Sequence, residues 1–243
     1  MPKIDRLWIW RLCELVAVIL LSFWFASGVE WLAGILHVPL PDMPLLHRTY
    51  LLFLFSLLAI AWFVYVDGES LSAIGFVRPE RLWLLIGRGV LLFVLILVFD
   101  AVGRPILDPL IAKLTGTSPT LAEQYFASVR GNLGLLLYLI PCGIVFGGLG
   151  EELLHSGYTL TRFAQLFGES RAAWALAVVF QAIPFAIGHA YQGPVGMVSI
   201  FVVSLLYGAG SVLWGRNLWP SMIAHVLLDS FGFFALYAGI SHA

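Results

Sequence analysis

The sequence is short of charge. Of its 243 residues, 11% are Asp, Glu, Lys or Arg, whereas soluble domains carry about 25%. A soluble globule and a disordered chain both need more charge than this, so both classes are excluded. No basic block occurs and the net charge is -1, which leaves nucleic-acid binding without an electrostatic footing. Cysteine is scarce too. Cys13 and Cys142 stand far apart, in or beside apolar runs, with no metal-type spacing, which excludes a disulfide scaffold and says nothing of redox compartment. There is no internal repeat, no low-complexity tract and no separate soluble domain.

What abounds is apolar surface. Hydrophobic residues make up 60% of the chain and the mean hydropathy is +0.95. A spanning helix takes about 20 apolar residues, and seven stretches qualify or nearly do: Leu12 to Gly34, Tyr50 to Val66, Trp83 to Val102, Leu133 to Leu154 (or on to Phe167), Ala172 to His189, Val195 to Trp214, and Trp219 to Tyr237. The expected fold is therefore an all-α polytopic membrane protein, with about seven transmembrane helices around a polar intramembrane cavity. Residues 1–132 would hold the first three helices and a connecting loop, and 133–243 the core helices four to seven. The first stretch follows Lys3, Arg6 and Arg11 as a signal peptide would, but its length and the six later spans read as a retained anchor.

Lysine and arginine orient the bundle. With the N-terminus in the cytoplasm, the inner segments hold Lys3, Arg6, Arg11, Arg78, Arg81, Arg88, Arg162, Arg171 and Arg216, and the outer ones Arg48, Arg104, Lys113 and Arg130. Trp8, Trp10, Trp62, Trp83, Trp174, Trp214 and Trp219 fall at the inner borders, where aromatic belts form. The expected location is the inner (cytoplasmic) membrane. In the long connection from Gly103 to Asn132, Thr120 and Glu123 have capping-box spacing, which predicts a short interfacial helix over Leu121 to Val129, either a lid or a plain connector.

Ionisable side chains inside lipid are costly and mark candidate sites. One group is Glu151-Glu152, preceded by Gly147, Gly148 and Gly150. Adjacent helical residues point about 100° apart, so one carboxylate can face a reacting water while the other holds a partner. Neighbouring carboxylates repel, which favours a base that returns its proton as an acid. The glycines suggest a loosened or closely packed backbone. Glu151, His155 and Thr159 recur every fourth residue and form one polar stripe. The alternative puts both glutamates at a helix end among headgroups. His225 and Asp229 are four apart and share a face; Asp229 orients the imidazole, both hold one metal or water, or the pair joins helices. His189 follows Pro184, which is expected to kink its helix. Asp100 reads as a boundary residue, paired with Arg104. His37, His47 and His242 fall in loops or the tail.

Two carboxylates, a histidine, and a histidine with an aspartate, on three helices, suit water-activated peptide hydrolysis. That reaction needs a base for the water, a donor for the oxyanion and a proton for the leaving amine. The sequence here resembles the CPBP family of intramembrane proteases (CAAX protease and bacteriocin-processing, or Abi). The family pattern is Glu-Glu-x-x-x-Arg-Gly, then Phe-x-x-x-His, then His-x-x-x-Asn or Asp. Glu151 to Gly157, Phe185 to His189 and His225 to Asp229 match in order and spacing; Ile74-Gly75-Phe76 is a weaker echo of an upstream segment. One position departs: Ser156 stands where the family has arginine, and His155 precedes it, one turn from Glu151, as a partial substitute.

The resemblance implies an endopeptidase acting on a membrane-associated or lipid-modified peptide or protein, with prenylated CAAX tails as the eukaryotic precedent. By resemblance, Glu151 and His189 activate the water, His225 and Asp229 stabilise the oxyanion or position the water, and Glu152 is a second site carboxylate; His155 and Ser156 are supporting candidates. Family members have been described as metalloproteases and as metal-free glutamic-type proteases. Glu151, His189 and His225 are the candidate ligands of a zinc ion. The competing class is a non-catalytic membrane protein, such as a bacteriocin self-immunity, chaperone or transport component. A rhomboid-like reading of Ser156 with His225 leaves both glutamates unexplained, and a haem bundle has no further cue. One geometric difficulty stands: His189 ends its span near the outer side while His225 begins its own near the inner side.

Overall fold

The computed structural model describes residues 4–37, 44–79, 81–117 and 127–240, with backbone alone at 44–48. The described residues are helical throughout their ordered elements, without a strand. Among them, seven helices make up the bundle: α1 (Arg6–Ile35), α2 (Pro44–Tyr65), α3 (Leu82–Thr115), α4 (Leu133–Phe167), α5 (Arg171–Gly188), α6 (Gly193–Leu213) and α7 (Trp219–Ala238). Six are long and apolar enough to cross a membrane, and the described apolar part of α2, Thr49–Tyr65, is slightly shorter. The chain is a multi-pass membrane protein, as its hydropathy predicts. Of the predicted connector helix, Leu121 to Phe126 lie outside the described residues, and Ala127–Val129 form a 3-10 turn. Thr120, Glu123, His242 and the His47 side chain also lie outside them.

Helix α4 is the hub. It packs on α2, α5 and α7 and touches α1 at its end, while α7 also packs on α3, and α5 on α6. Leu15, Phe63, Leu154 and Tyr158 join α1, α2 and α4; Ile96, Tyr207 and Ala224 join α3, α6 and α7. Large side chains such as Trp24, Trp31, Leu137 and Phe234 point outward, as a surface solvated by lipid tails permits.

Two helices are not regular. α3 is π-helical over Phe99–Gly103, and α4 over Gly143–Glu151 and again over Leu153–Thr159. π-helical segments are rare and concentrate at functional sites. The glycines before Glu151 thus mark a backbone that is both loosened and closely packed. α5 runs as one helix from Arg171 through Pro184 to Gly188.

The depth difficulty is resolved by unequal hairpins. The α6–α7 turn does not lie level with the α4–α5 turn. Its Leu218 packs against Gly157, beside Ile74 O, and Leu218 N donates to Gly75 O at 3.0 Å. Gly157 is ten residues before the end of α4 at Phe167, about 15 Å along the helix axis. α7 therefore starts well inside the bundle, and His225, six residues into it, reaches the level of Glu151 and Glu152. The Ile74-Gly75-Phe76 segment is the ledge on which this turn rests. Gly75 has φ +84° and its Cβ position lies 2.8 Å from Arg216 O, so only glycine fits there. Trp219 Nε1 donates to Val77 O at 2.6 Å and its ring lies 5.1 Å from that of Phe76.

Candidate active site

The cluster is assembled from α4, α5, α6 and α7. Glu152 is 1% exposed and accepts a hydrogen bond from His225 Nδ1 at 2.8 Å. That bond leaves His225 Nε2 turned to the other acids, 3.9 Å from Glu151 Oε2 and 3.7 Å from Asp229 Oδ1. Both separations are too long for direct hydrogen bonds and suit a shared water. Glu151 and Asp229 are half-buried, their side chains 18% and 26% exposed, while His225 is 8% exposed. The two adjacent glutamates therefore have different environments, one locked on a histidine and one open toward the reacting space.

Glycine makes this convergence possible. A Cβ on Gly147 would collide with Asp229 Oδ2 and come within 3.2 Å of His225 Nε2; one on Gly148 would collide with Val226 Cγ2; one on Gly143 would lie 2.9 Å from Asp229 Cβ. The α4 backbone thus forms a wall of the site against α7, closer than any side chain would allow.

Phe185 links the histidines. Its ring centroid is 4.8 Å from that of His155, 4.8 Å from His189 and 6.4 Å from His225. His189 caps the end of α5, and its Nδ1 donates to Phe185 O at 2.9 Å. In a neutral ring that bond leaves Nε2 as the acceptor. His155 is packed edge-on to Phe185 with its Nδ1 buried and without a hydrogen bond. Ser156 is buried on a different side, where it lines a small cavity with Ile74, Trp174, Ser211 and Leu218. Asp100 pairs with Arg104 at 3.8 Å, as expected of a boundary residue.

Among the described residues, no three His, Cys, Asp or Glu side chains stand in an arrangement that could hold a metal ion. Glu151, His189 and His225 share a region but do not form a ligand set, and His225 Nδ1 is already engaged by Glu152.

Several buried polar residues escape a sequence-level search. Tyr207 of α6 is 1% exposed and stacks on His225, with ring centroids 4.9 Å apart and planes 15° from parallel. Arg162, placed by sequence in an inner segment, and Glu14, not singled out there, are both inside helices and buried. Arg162 contacts Glu14 at 2.9 Å, pairs with Asp67, and lies 3.8 Å from Glu69. Tyr158 donates to Glu14 at 2.7 Å. Nothing local signals a pair separated by 148 positions; only the presence of both charges within otherwise apolar helices does.

The fold and the cluster together define a multi-pass membrane protein that gathers carboxylates and imidazoles between its helices. Residues 133–231 match the family described as type II CAAX prenyl endopeptidase Rce1-like. This stretch contains α4 to α6, most of α7 and all three motifs, so the chain is similar to that family of prenyl endopeptidases over this part of its length. No curated protein and no solved structure matches the chain.

Proposed function

We propose that the chain is an intramembrane endopeptidase that hydrolyses a peptide bond of a membrane-associated, lipid-modified peptide or protein. The observation that carries this reading is the His225 imidazole, held by Glu152 on one nitrogen and facing Glu151 and Asp229 with the other. In this mechanism a water between Glu151 and His189 loses a proton to Glu151 as its oxygen attacks the scissile carbonyl carbon. The carbonyl π pair moves onto oxygen, which His225, as the imidazolium, meets with a hydrogen bond from its Nε2–H. Collapse re-forms the carbonyl, breaks the C–N bond and sends the proton from Glu151 to the leaving amine. Glu152 accepts from Nδ1–H, favours the imidazolium and fixes the ring orientation, and Asp229 holds the water on the opposite side. No step is routed through a metal ion, because the described acids and histidines are not arranged as a ligand set. An N-terminus in the cytoplasm accompanies this reading.

Ser156, in place of the motif arginine, favours one second reading: a non-catalytic immunity, chaperone or transport component. Purified protein in detergent separates the two. The protease cleaves a farnesylated CAAX peptide and Glu151→Ala abolishes the cleavage. Equal product from wild type and variant would sink the catalytic assignment. An immunity protein keeps protecting cells after Glu151→Ala.

A further inference from the structure

The site is rich in acceptors and poor in donors. Glu151, Glu152 and Asp229 surround His225, and an ionised carboxylate only accepts hydrogen bonds. No arginine follows the glutamates, since Ser156 stands there and lines a different cavity. An oxyanion forming beside three acids needs preorganised donors, and His225 Nδ1 is already spent on Glu152.

Tyr207 answers that shortage. Its hydroxyl is the one tyrosine, serine or threonine oxygen among the buried side-chain atoms, in the described residues, without a hydrogen-bond partner. A buried hydroxyl left unpaired is costly and calls for an explanation. The ring lies against His225, whose Nδ1 is held by Glu152, so Tyr207 meets the site from α6. Its ring is fixed by the stack on His225. Its backbone is fixed as well: Ser221 donates to Tyr207 O at 2.9 Å and exchanges a hydrogen bond with Ser211 at 2.8 Å. One turn earlier on α6, Ser204 O accepts from Gln181 Nε2 at 3.0 Å. The side chain is thus held rigidly while its hydroxyl is buried without a hydrogen-bond partner.

We propose that Tyr207 is a further catalytic residue of this site, its hydroxyl donating to the oxygen of the scissile carbonyl as negative charge develops there. No proton need leave the phenol: the bond strengthens as the C–O π pair moves to oxygen and weakens as the carbonyl re-forms. This rests on the protease reading above, and the test separates the two.

Wild type, Glu151→Ala and Tyr207→Phe are compared on a farnesylated CAAX peptide, and on the same peptide with a phosphinate at the scissile bond. Phenylalanine keeps the stack on His225 and removes only the oxygen. Tyr207→Phe is expected to lower kcat by about 10²–10³-fold, the cost of one oxyanion donor, with KM little changed and phosphinate affinity reduced. Replacing Tyr207 by difluorotyrosine, which preserves its shape, is expected to move the alkaline limb of the kcat–pH profile to lower pH. If Glu151→Ala is inactive while Tyr207→Phe matches wild type in kcat and phosphinate affinity, the inference fails and the protease reading stands. If wild type cleaves nothing yet binds the phosphinate more tightly than Tyr207→Phe, the donor stands and the protease reading fails. If wild type neither cleaves nor binds, both fall.

Discussion

Two polar clusters sit on the same helix, with His155 of one and Tyr158 of the other less than a turn apart, and they differ in how charge is matched. Around Arg162, unlike charges meet: Glu14 from α1, and Asp67 and Glu69 from the segment after α2, converge on one guanidinium that is 1% exposed. Tyr158, Gln165, Arg11 and Trp10 complete that network, and the Arg162 guanidinium also lies 4.5 Å from the centroid of the Phe63 ring. Around His225, like charges meet: three carboxylates approach one imidazole with no arginine or lysine among them. Each cluster holds three buried polar atoms without hydrogen-bond partners: Arg11 Nε, Glu14 Oε2 and Arg162 Nε in the first, Glu152 Oε2, His155 Nδ1 and the Tyr207 hydroxyl in the second. The first cluster tethers α1 and the α2 end to α4. The second has no arginine or lysine to offset its three carboxylates, as suits groups that meet substrate and water. Charge balance, more than burial or distance, separates the scaffold from the site.

Substitutions should divide along the same line. Glu151→Ala gives the largest effect on catalysis, about 10²–10⁴-fold in kcat, with the melting temperature in detergent essentially unchanged, because Glu151 is half-buried and anchors no partner at hydrogen-bond range. Arg162→Met gives the largest effect on stability. Removing one partner of a buried ion pair costs about 3–5 kcal/mol, so thermal unfolding in detergent should start far earlier while the folded fraction keeps its specific activity. A Glu151→Ala variant that melts early, or an Arg162→Met variant that melts normally, would break the distinction. Gly147→Ala sits between them: overpacking costs about 1–3 kcal/mol, and the new methyl group pushes directly on Asp229 and His225, so both melting and cleavage should suffer. A chelator is expected to have the smallest effect, leaving cleavage of the farnesylated peptide unchanged; loss of activity with o-phenanthroline and recovery with zinc would overturn the metal-free route.

Much of this arrangement is legible in the sequence. The spans follow from long apolar runs, and Glu151, Glu152, His225 and Asp229 stand out because charge within those runs is expensive. The scaffold cluster is less legible. Glu14 and Arg162 lie near basic or polar residues that resemble a membrane border, and their partnership depends on how α1 returns against α4. Tyr207 is concealed for another reason: an aromatic ring suits an apolar helix, and only its neighbours in space reveal that its hydroxyl is stranded. The unequal hairpins are hidden too, since hydropathy measures the length of a span and not the depth at which it starts. That depth is set by a ledge at Gly75 and a close contact at Gly157.

The π-helical turns of α4 carry a consequence for how the site can change. A π segment accommodates an extra residue without breaking the rod. Without a π turn to absorb it, a one-residue deletion between Gly143 and Gly150 would shift the remainder of α4 by about 1.5 Å and rotate it by about 100°. That rotation equals the angle between Glu151 and Glu152. A phase shift of one residue would set Glu152 at the place of Glu151 and Leu153 at the place of Glu152, so His225 would lose its anchor without either glutamate being altered. The phase of the helix is then as much a heritable determinant of this chemistry as the identity of its side chains.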